Sequence, residues 1–173
     1  VTVLIAHGIE ADAPAGWDVR IRRRPAIDPT GIDPTGSDSG GSDSGGTTHA
    51  VMHAANFSLP GQRGDYGSGV VELMGAGHVL TVLIEFHPSR AGSGLYARQG
   101  LPRWLDPSGF QATSLQRRLP GQGGQQWFFT EAGRPWCLYV VLGSLANRAR
   151  LVPQANQLLR GLRILGPSPQ DVG

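Results

Sequence analysis

The stretch QQWFFTEAGRPWCLYVVLG, residues 125–143, constrains this chain more than any other. It breaks at Ala132-Gly133, and a two-residue turn there folds the two halves into an antiparallel ribbon. That turn sets the register: Glu131 faces Arg134, Phe129 faces Trp136, Phe128 faces Cys137 and Trp127 faces Leu138. Opposite charges beside the turn and aromatic partners on both faces each contribute roughly 0.2–1 kcal/mol. From Trp136 to Leu142 both faces are apolar, so this strand is expected inside a sheet that is covered on both sides.

A similar device is predicted upstream. GVVELM (69–74) and HVLTVLIEFH (78–87) flank Gly75, Ala76 and Gly77. With Ala76-Gly77 as the turn, Leu73 faces Leu80, Val71 faces Val82 and Glu72 faces Thr81, which keeps the carboxylate off the apolar face. WDVRIRRR (17–24) alternates Trp17, Val19 and Ile21 against charged positions, the pattern of a half-buried strand with a charged outer face. HAVMHAANFSL (49–59) leans towards strand. Residues 88–124 are rich in Gly, Pro and Arg, with a short helix expected near LYARQG (95–100) and a strand at QATSLQRRL (111–119).

Near the end, Leu151, Val152, Ala155, Leu158, Leu159 and Leu162 recur at helical spacing and form one apolar stripe. Pro153 suits a first turn and Gly161 a stop. Such a helix needs an apolar surface, and a sheet face supplies one. The expected fold is therefore α+β: an antiparallel sheet of about five to seven strands with a C-terminal amphipathic helix packed on one face. The 173 residues suit one domain spanning 1–173, with a frayed tail at 166–173.

IDPTGIDPTGSDSGGSDSGG, residues 27–46, is two copies of one pentapeptide followed by two of another. Its aspartates, Asp28, Asp33, Asp38 and Asp43, suggest calcium. The spacing matches neither an EF-hand loop nor a calcium-binding nonapeptide array. With only Ile27 and Ile32 as large apolar residues, the segment has little burial to offset about 1–2 kcal/mol of backbone ordering entropy per residue. A flexible loop between two strands is the favoured reading, since lengthening a loop costs only about 0.6 kcal/mol per doubling.

Every one of the 15 basic residues is arginine. Without lysine, this chain supplies no Schiff-base, phosphate-loop or kinase-type amine. A formal net charge of +2 does not by itself imply nucleic acid, which is disfavoured as a partner. No apolar run approaches the ~20 residues that span a bilayer, so no membrane role is expected. The start, VTVLIAHGIEAD, does not read as a signal peptide, and the single Cys137 fits a reducing compartment; a cytoplasmic location follows as an expectation.

Candidate chemistry is sparse. His49 and His53 are four residues apart, but a strand is expected there and no acidic third ligand lies nearby. Glu85 and His87 are placed on one outward strand face, as a solvated pair rather than an acid–base couple. Cys137, between Trp136 and Leu138, reads as an inert buried thiol. No G-x-S-x-G elbow occurs, and no cofactor is expected. Arg20, Arg22 and Arg24, with Arg117 and Arg118, form a possible anion- or partner-binding face if their strands meet, because guanidinium forks suit phosphates and carboxylates.

The early GWDVRI strand, the two predicted hairpins and LVPQANQLLRGLRI as a closing helix running into a short strand resemble the PsbP-like fold superfamily. That resemblance implies a non-catalytic binder, scaffold subunit or chaperone. The expected function is a non-enzymatic interaction, adaptor or chaperone-like domain, binding another protein or itself through a sheet edge. An arginine-based polyanion binder is the alternative, and a small hydrolase or metal enzyme the third reading.

Overall fold

The computed structural model describes residues 2–25 and 48–166. The tandem at 27–46, and the expected tail beyond Gly166, lie outside the described residues. The described chain is α+β, with two antiparallel sheets and a C-terminal helix. The larger sheet has five strands: β3 (Asp18–Pro25), β4 (Thr48–Ala55), β5 (Val79–Glu85), β6 (Gly123–Glu131) and β7 (Arg134–Leu142), in the order β3-β4-β5-β7-β6. The smaller has three: β1 (Thr2–Ala6), β2 (Ile9–Ala13) and β8 (Leu162–Ile164), in the order β1-β2-β8. Helix α1 (Arg148–Arg160) precedes β8. One sheet was expected; the apolar TVLIA and the alternating IEADA on either side of His7-Gly8, with β8, build the second.

The aromatic ribbon has the predicted register throughout, from Glu131 opposite Arg134 to Trp127 opposite Leu138. Its turn places Ala132 at φ 53° and Gly133 at φ 71°, the left-handed pair that matches strand twist. The charges beside the turn do not pair with each other. Glu131 accepts from the Leu101 amide at 2.6 Å, and Arg134 turns to Glu85.

β7 lies between β5 and β6 and is buried from Pro135 to Leu142. On one face Leu138, Val140 and Leu142 share a core with Leu151, Val152, Ala155, Leu158 and Leu159 of α1. On the other, Cys137, Tyr139 and Val141 pack under Leu59, Val70, Val71 and Leu115 from the long connections. Two layers cover the strand, as its composition demands.

The upstream hairpin does not form. Val71–Leu73 is a single 3-10 turn, with Leu73 exposed, and β5 pairs instead with β4 and β7. β5 is apolar on both faces and gains two strand neighbours this way, whereas the hairpin would supply one. The glycines beside it close local turns: Gly67 accepts from the Val70 and Val71 amides, and Glu72 accepts from the Gly69 amide at 2.8 Å. The strand expected at 111–119 is likewise absent. Ala112–Ser114 is a 3-10 turn, and only Gln111 bridges to β6, at Gly124. The helix expected near 95–100 is one 3-10 turn at Gly94–Tyr96.

Trp17, Val19 and Ile21 pack against the helix-side core, as the alternation predicts. The helix starts three residues before the apolar stripe, so Pro153 sits in its second turn rather than its first. The Ala149 carbonyl therefore lacks the i+4 N–H from which it would ordinarily accept. The helix ends at Gly161, where any Cβ would collide with the backbone carbonyl of Asp12; the Asp12 amide donates to the Gly161 carbonyl at 2.9 Å. The short closing strand is β8, which joins β2.

One polar residue interrupts the buried stripe. Asn156 is fully buried, and its side-chain amide clasps the Leu105 backbone, accepting from its N–H at 2.8 Å and donating to its C=O at 3.1 Å. Removing both partners strands two buried peptide groups. Asn156→Ala is expected to cost about 1–3 kcal/mol in urea denaturation, while Gln157→Ala on the exposed face leaves stability nearly unchanged.

Candidate functional site

The two sheets meet around one ion pair. Glu85 ends β5, and its carboxylate is buried at the sheet's end. Arg134, first residue of β7, grips it bidentately with one edge of its guanidinium: Nε to Oε1 at 2.7 Å and Nη2 to Oε2 at 2.8 Å. The Ala50 amide donates to Oε2 at 2.8 Å. The same guanidinium donates to the carbonyls of His7 at 3.1 Å, Gly8 at 3.5 Å and Leu165 at 3.4 Å, and lies 4.6 Å from the Trp136 ring centroid. Arg134 thus joins the β1–β2 turn and the residue after β8 to the large sheet. Its donors and the Glu85 oxygens are occupied, so the pair acts as a joint rather than an acid–base couple.

Above this joint opens a cleft of about 1110 Å³, walled by Ile5 and Ala6 of β1, Arg23 and Thr48 at the ends of β3 and β4, and Ala132 and Leu165. Arg23 spans one side, donating from Nε to His7 Nδ1 and from Nη1 to Thr48 Oγ1, each at 3.1 Å.

Arg20, Arg22 and Arg24 project from one face of β3, opposite His53, Val51 and His49. That face is not simply solvated, because the connection after β4 lies over it. Arg20 chelates Asp18 at 2.6 and 3.1 Å, and this contact holds the Asp18 carboxyl below its ordinary range. Arg22 pairs with Asp65 at 2.6 Å. Arg24 is buried, lies 3.5 Å from Asp65, donates to the Glu85 carbonyl at 3.0 Å and sits over the Phe86 ring. Arg117 pairs elsewhere, with Glu72 of the 71–73 turn at 2.6 Å, and Arg118 beside it is exposed. The structure brings the three β3 arginines together, each with a carboxylate or carbonyl partner. It joins Arg117 to a different element.

The histidines do not converge. His49 and His53 lie on one face of β4, about 13 Å apart along the strand, too far to share a metal. His49 is buried with its ring edge-on to His87, and burial pulls its pKa down. His87 lies past the end of β5 and caps the Pro88–Arg90 turn by accepting from the Ser89 amide, while Glu85 is buried. The outward Glu85–His87 pair expected from the strand pattern is therefore replaced by two separate roles. Cys137 is buried, and burial pushes its thiol up to about 12, far from a thiolate nucleophile. Among the described residues, no three or more His, Cys, Asp or Glu side chains form a metal-binding group, and no helix is long and apolar enough to cross a membrane.

Sheet edges differ sharply in how they are finished. β6 is bridged at both ends, through reciprocal bonds of Gly124 with Gln111 and through Thr130 with Arg98 and Gly100. β8 has three residues, and Arg103 donates to its Leu162 carbonyl. β3 carries Arg20, Arg22, Arg23, Arg24 and Pro25, the charged and donor-poor composition that blocks pairing. β1, TVLIA, has neither charge nor proline. Ala6 faces Ile9 across a two-residue turn with both central residues left-handed (His7 φ 51°, Gly8 φ 75°), the geometry in which the flanking pair is the hydrogen-bonded one, so the backbone groups of Val3 and Ile5 point away from β2. Among the described residues none bonds to them, and the side chains of Val3 and Ile5 are 52% and 60% exposed. The cue in the sequence was AHGI, an Xaa-Gly turn between the apolar TVLIA and the alternating IEADA.

A scan against protein-family models finds no match, and neither the search of curated proteins nor that of solved structures returns one.

His53 gives the clearest pH signature. It is fully buried; Nε2 donates to the Gly64 carbonyl at 3.1 Å, and Nδ1 has no partner. Burial, with the Arg63 charge next, lowers its pKa to about 4. Because the unfolded chain binds this proton more readily, the His53 contribution is complete above pH ~6.5 and is lost as pH falls towards ~4. Between pH 7.5 and 4 the wild type should lose about 3 kcal/mol more stability than His53→Gln, read by urea denaturation at each pH.

Proposed function

We propose that this chain is a non-enzymatic protein-interaction or adaptor module that receives a partner strand along β1. The observation behind this reading is the contrast among the four sheet edges of the described residues: three are bridged, capped or charged, and on β1 no described residue bonds to the outward backbone groups of Val3 and Ile5, whose β-branched side chains are exposed. Strand addition draws affinity from the main chain and selectivity from alternate side chains. The PsbP-like resemblance points the same way, towards binders and scaffolds. The polyanion reading has less support, because Arg20, Arg22, Arg24 and Arg117 already have partners of opposite polarity. An enzymatic reading lacks a convergent nucleophile, base or metal set among the described residues.

Ile5→Pro is the discriminating change, since it removes an outward N–H and leaves the β1–β2 bonds in place. In co-purification from native extract, a protein retained by the wild type should be lost with Ile5→Pro. Its retention should depend little on salt. Equal retention by both chains, a steep salt dependence, or a saturable turnover abolished at His53, His87 or Cys137 would each refute the reading.

A further inference from the structure

We propose that one occupant of the β1 edge is β1 of a second copy, running antiparallel about a two-fold axis at Leu4. This rests on the strand-addition reading and makes it specific. The geometry of TVLIA is self-complementary. With the axis at Leu4, Val3 of one copy faces Ile5 of the other, and Ile5 faces Val3, so both outward residues of each strand become hydrogen-bonded pairs. Leu4 faces its own copy as the closer, non-hydrogen-bonded pair. Every outward N–H and C=O of Val3 and Ile5 is then satisfied, and β-branched side chains meet across the junction. Shifting the register by one residue would set the outward groups of one strand against the β2-bonded groups of the other.

Charge selects this edge for self-association. β1 carries no charged residue, so two copies approach without repulsion. The same operation on β3 would set Arg20, Arg22, Arg23 and Arg24 against their own copies, with Pro25 lacking a donor. The outcome is one six-stranded sheet, β8-β2-β1 followed by β1-β2-β8 of the second copy, an isologous two-fold contact. A five-residue edge buries less than the ~1,000 Å² of a stable interface, so the dimer is reversible and concentration-dependent.

Disulfide trapping reads this arrangement directly. In the two-fold register the Leu4 positions lie about 4.5 Å apart between Cα atoms, within disulfide reach, whereas the two Val3 positions are diagonal neighbours about 7–8 Å apart. Native Cys137 is buried and stays silent. Under mild oxidation Leu4→Cys should cross-link at least several-fold more than Val3→Cys. Sedimentation velocity should show a monomer–dimer equilibrium in the wild type that Ile5→Pro shifts to monomer. A wild type that is monomeric at every concentration, equal cross-linking of the two cysteine variants, or a dimer that survives Ile5→Pro would overturn the proposal. A monomer that still retains a foreign protein through Ile5 would leave the strand-addition reading standing and remove only the second copy.

Discussion

One guanidinium holds the two sheets in register with each other. Arg134 binds Glu85 of the large sheet through two bonds and reaches the carbonyls of His7, Gly8 and Leu165 on the small one. Losing one partner of a buried pair leaves an uncompensated charge, at a cost of about 3–5 kcal/mol. The apolar contacts of Ile9, Ala11, Leu162 and Ile164 hold the small sheet against the core but are not directional. The polar joint supplies direction. It sets where the β1–β2 turn stands, and so how the unguarded edge of β1 and the adjoining cleft are presented.

The rest of the layering follows from β7. A strand that is apolar on both faces needs a cover on each side, and the chain supplies two unlike ones. Helix α1 covers one face with a continuous stripe, interrupted only by the Asn156 clasp on Leu105. Irregular connections cover the other, and their backbone groups are satisfied piecemeal: Tyr139 Oη accepts from the Gln116 amide, Gln122 donates to the Val71 carbonyl, and His53 donates to Gly64. The second cover therefore holds a buried imidazole, His53, whose protonation in acid opposes its burial.

What could be read from the sequence divides along the same line. The β6–β7 register was legible because Ala-Gly sits between runs whose cross-strand partners match on both faces, so local and global preferences agree. The closing helix was legible from its stripe, though its first turn was not, since Arg148, Ala149 and Arg150 carry no apolar signal. The upstream hairpin misled because β5 is apolar on both faces; such a strand accepts any long neighbour, and β4 and β7 outcompeted the glycine-rich segment before it. Arg20, Arg22 and Arg24 share one strand face; Arg20 has its carboxylate locally at Asp18, but the partners of Arg22 and Arg24, Asp65 and the Glu85 carbonyl, arrive from 43 and 61 residues away, distances no local pattern encodes. Arg134 shows the same limit. Its nearest carboxylate in the ribbon is Glu131, and its actual partner comes from another strand.

Native-state hydrogen exchange on the paired change Glu85→Gln/Arg134→Met, which removes the joint without leaving a buried charge, tests this arrangement most directly. Amides of β1, β2 and β8 should lose protection by roughly ten-fold or more, while those of β5 and β7 keep theirs. Unchanged protection in the small sheet, or an equal loss across both sheets, would contradict the assignment of Arg134 as the element that orients the small sheet on the large one.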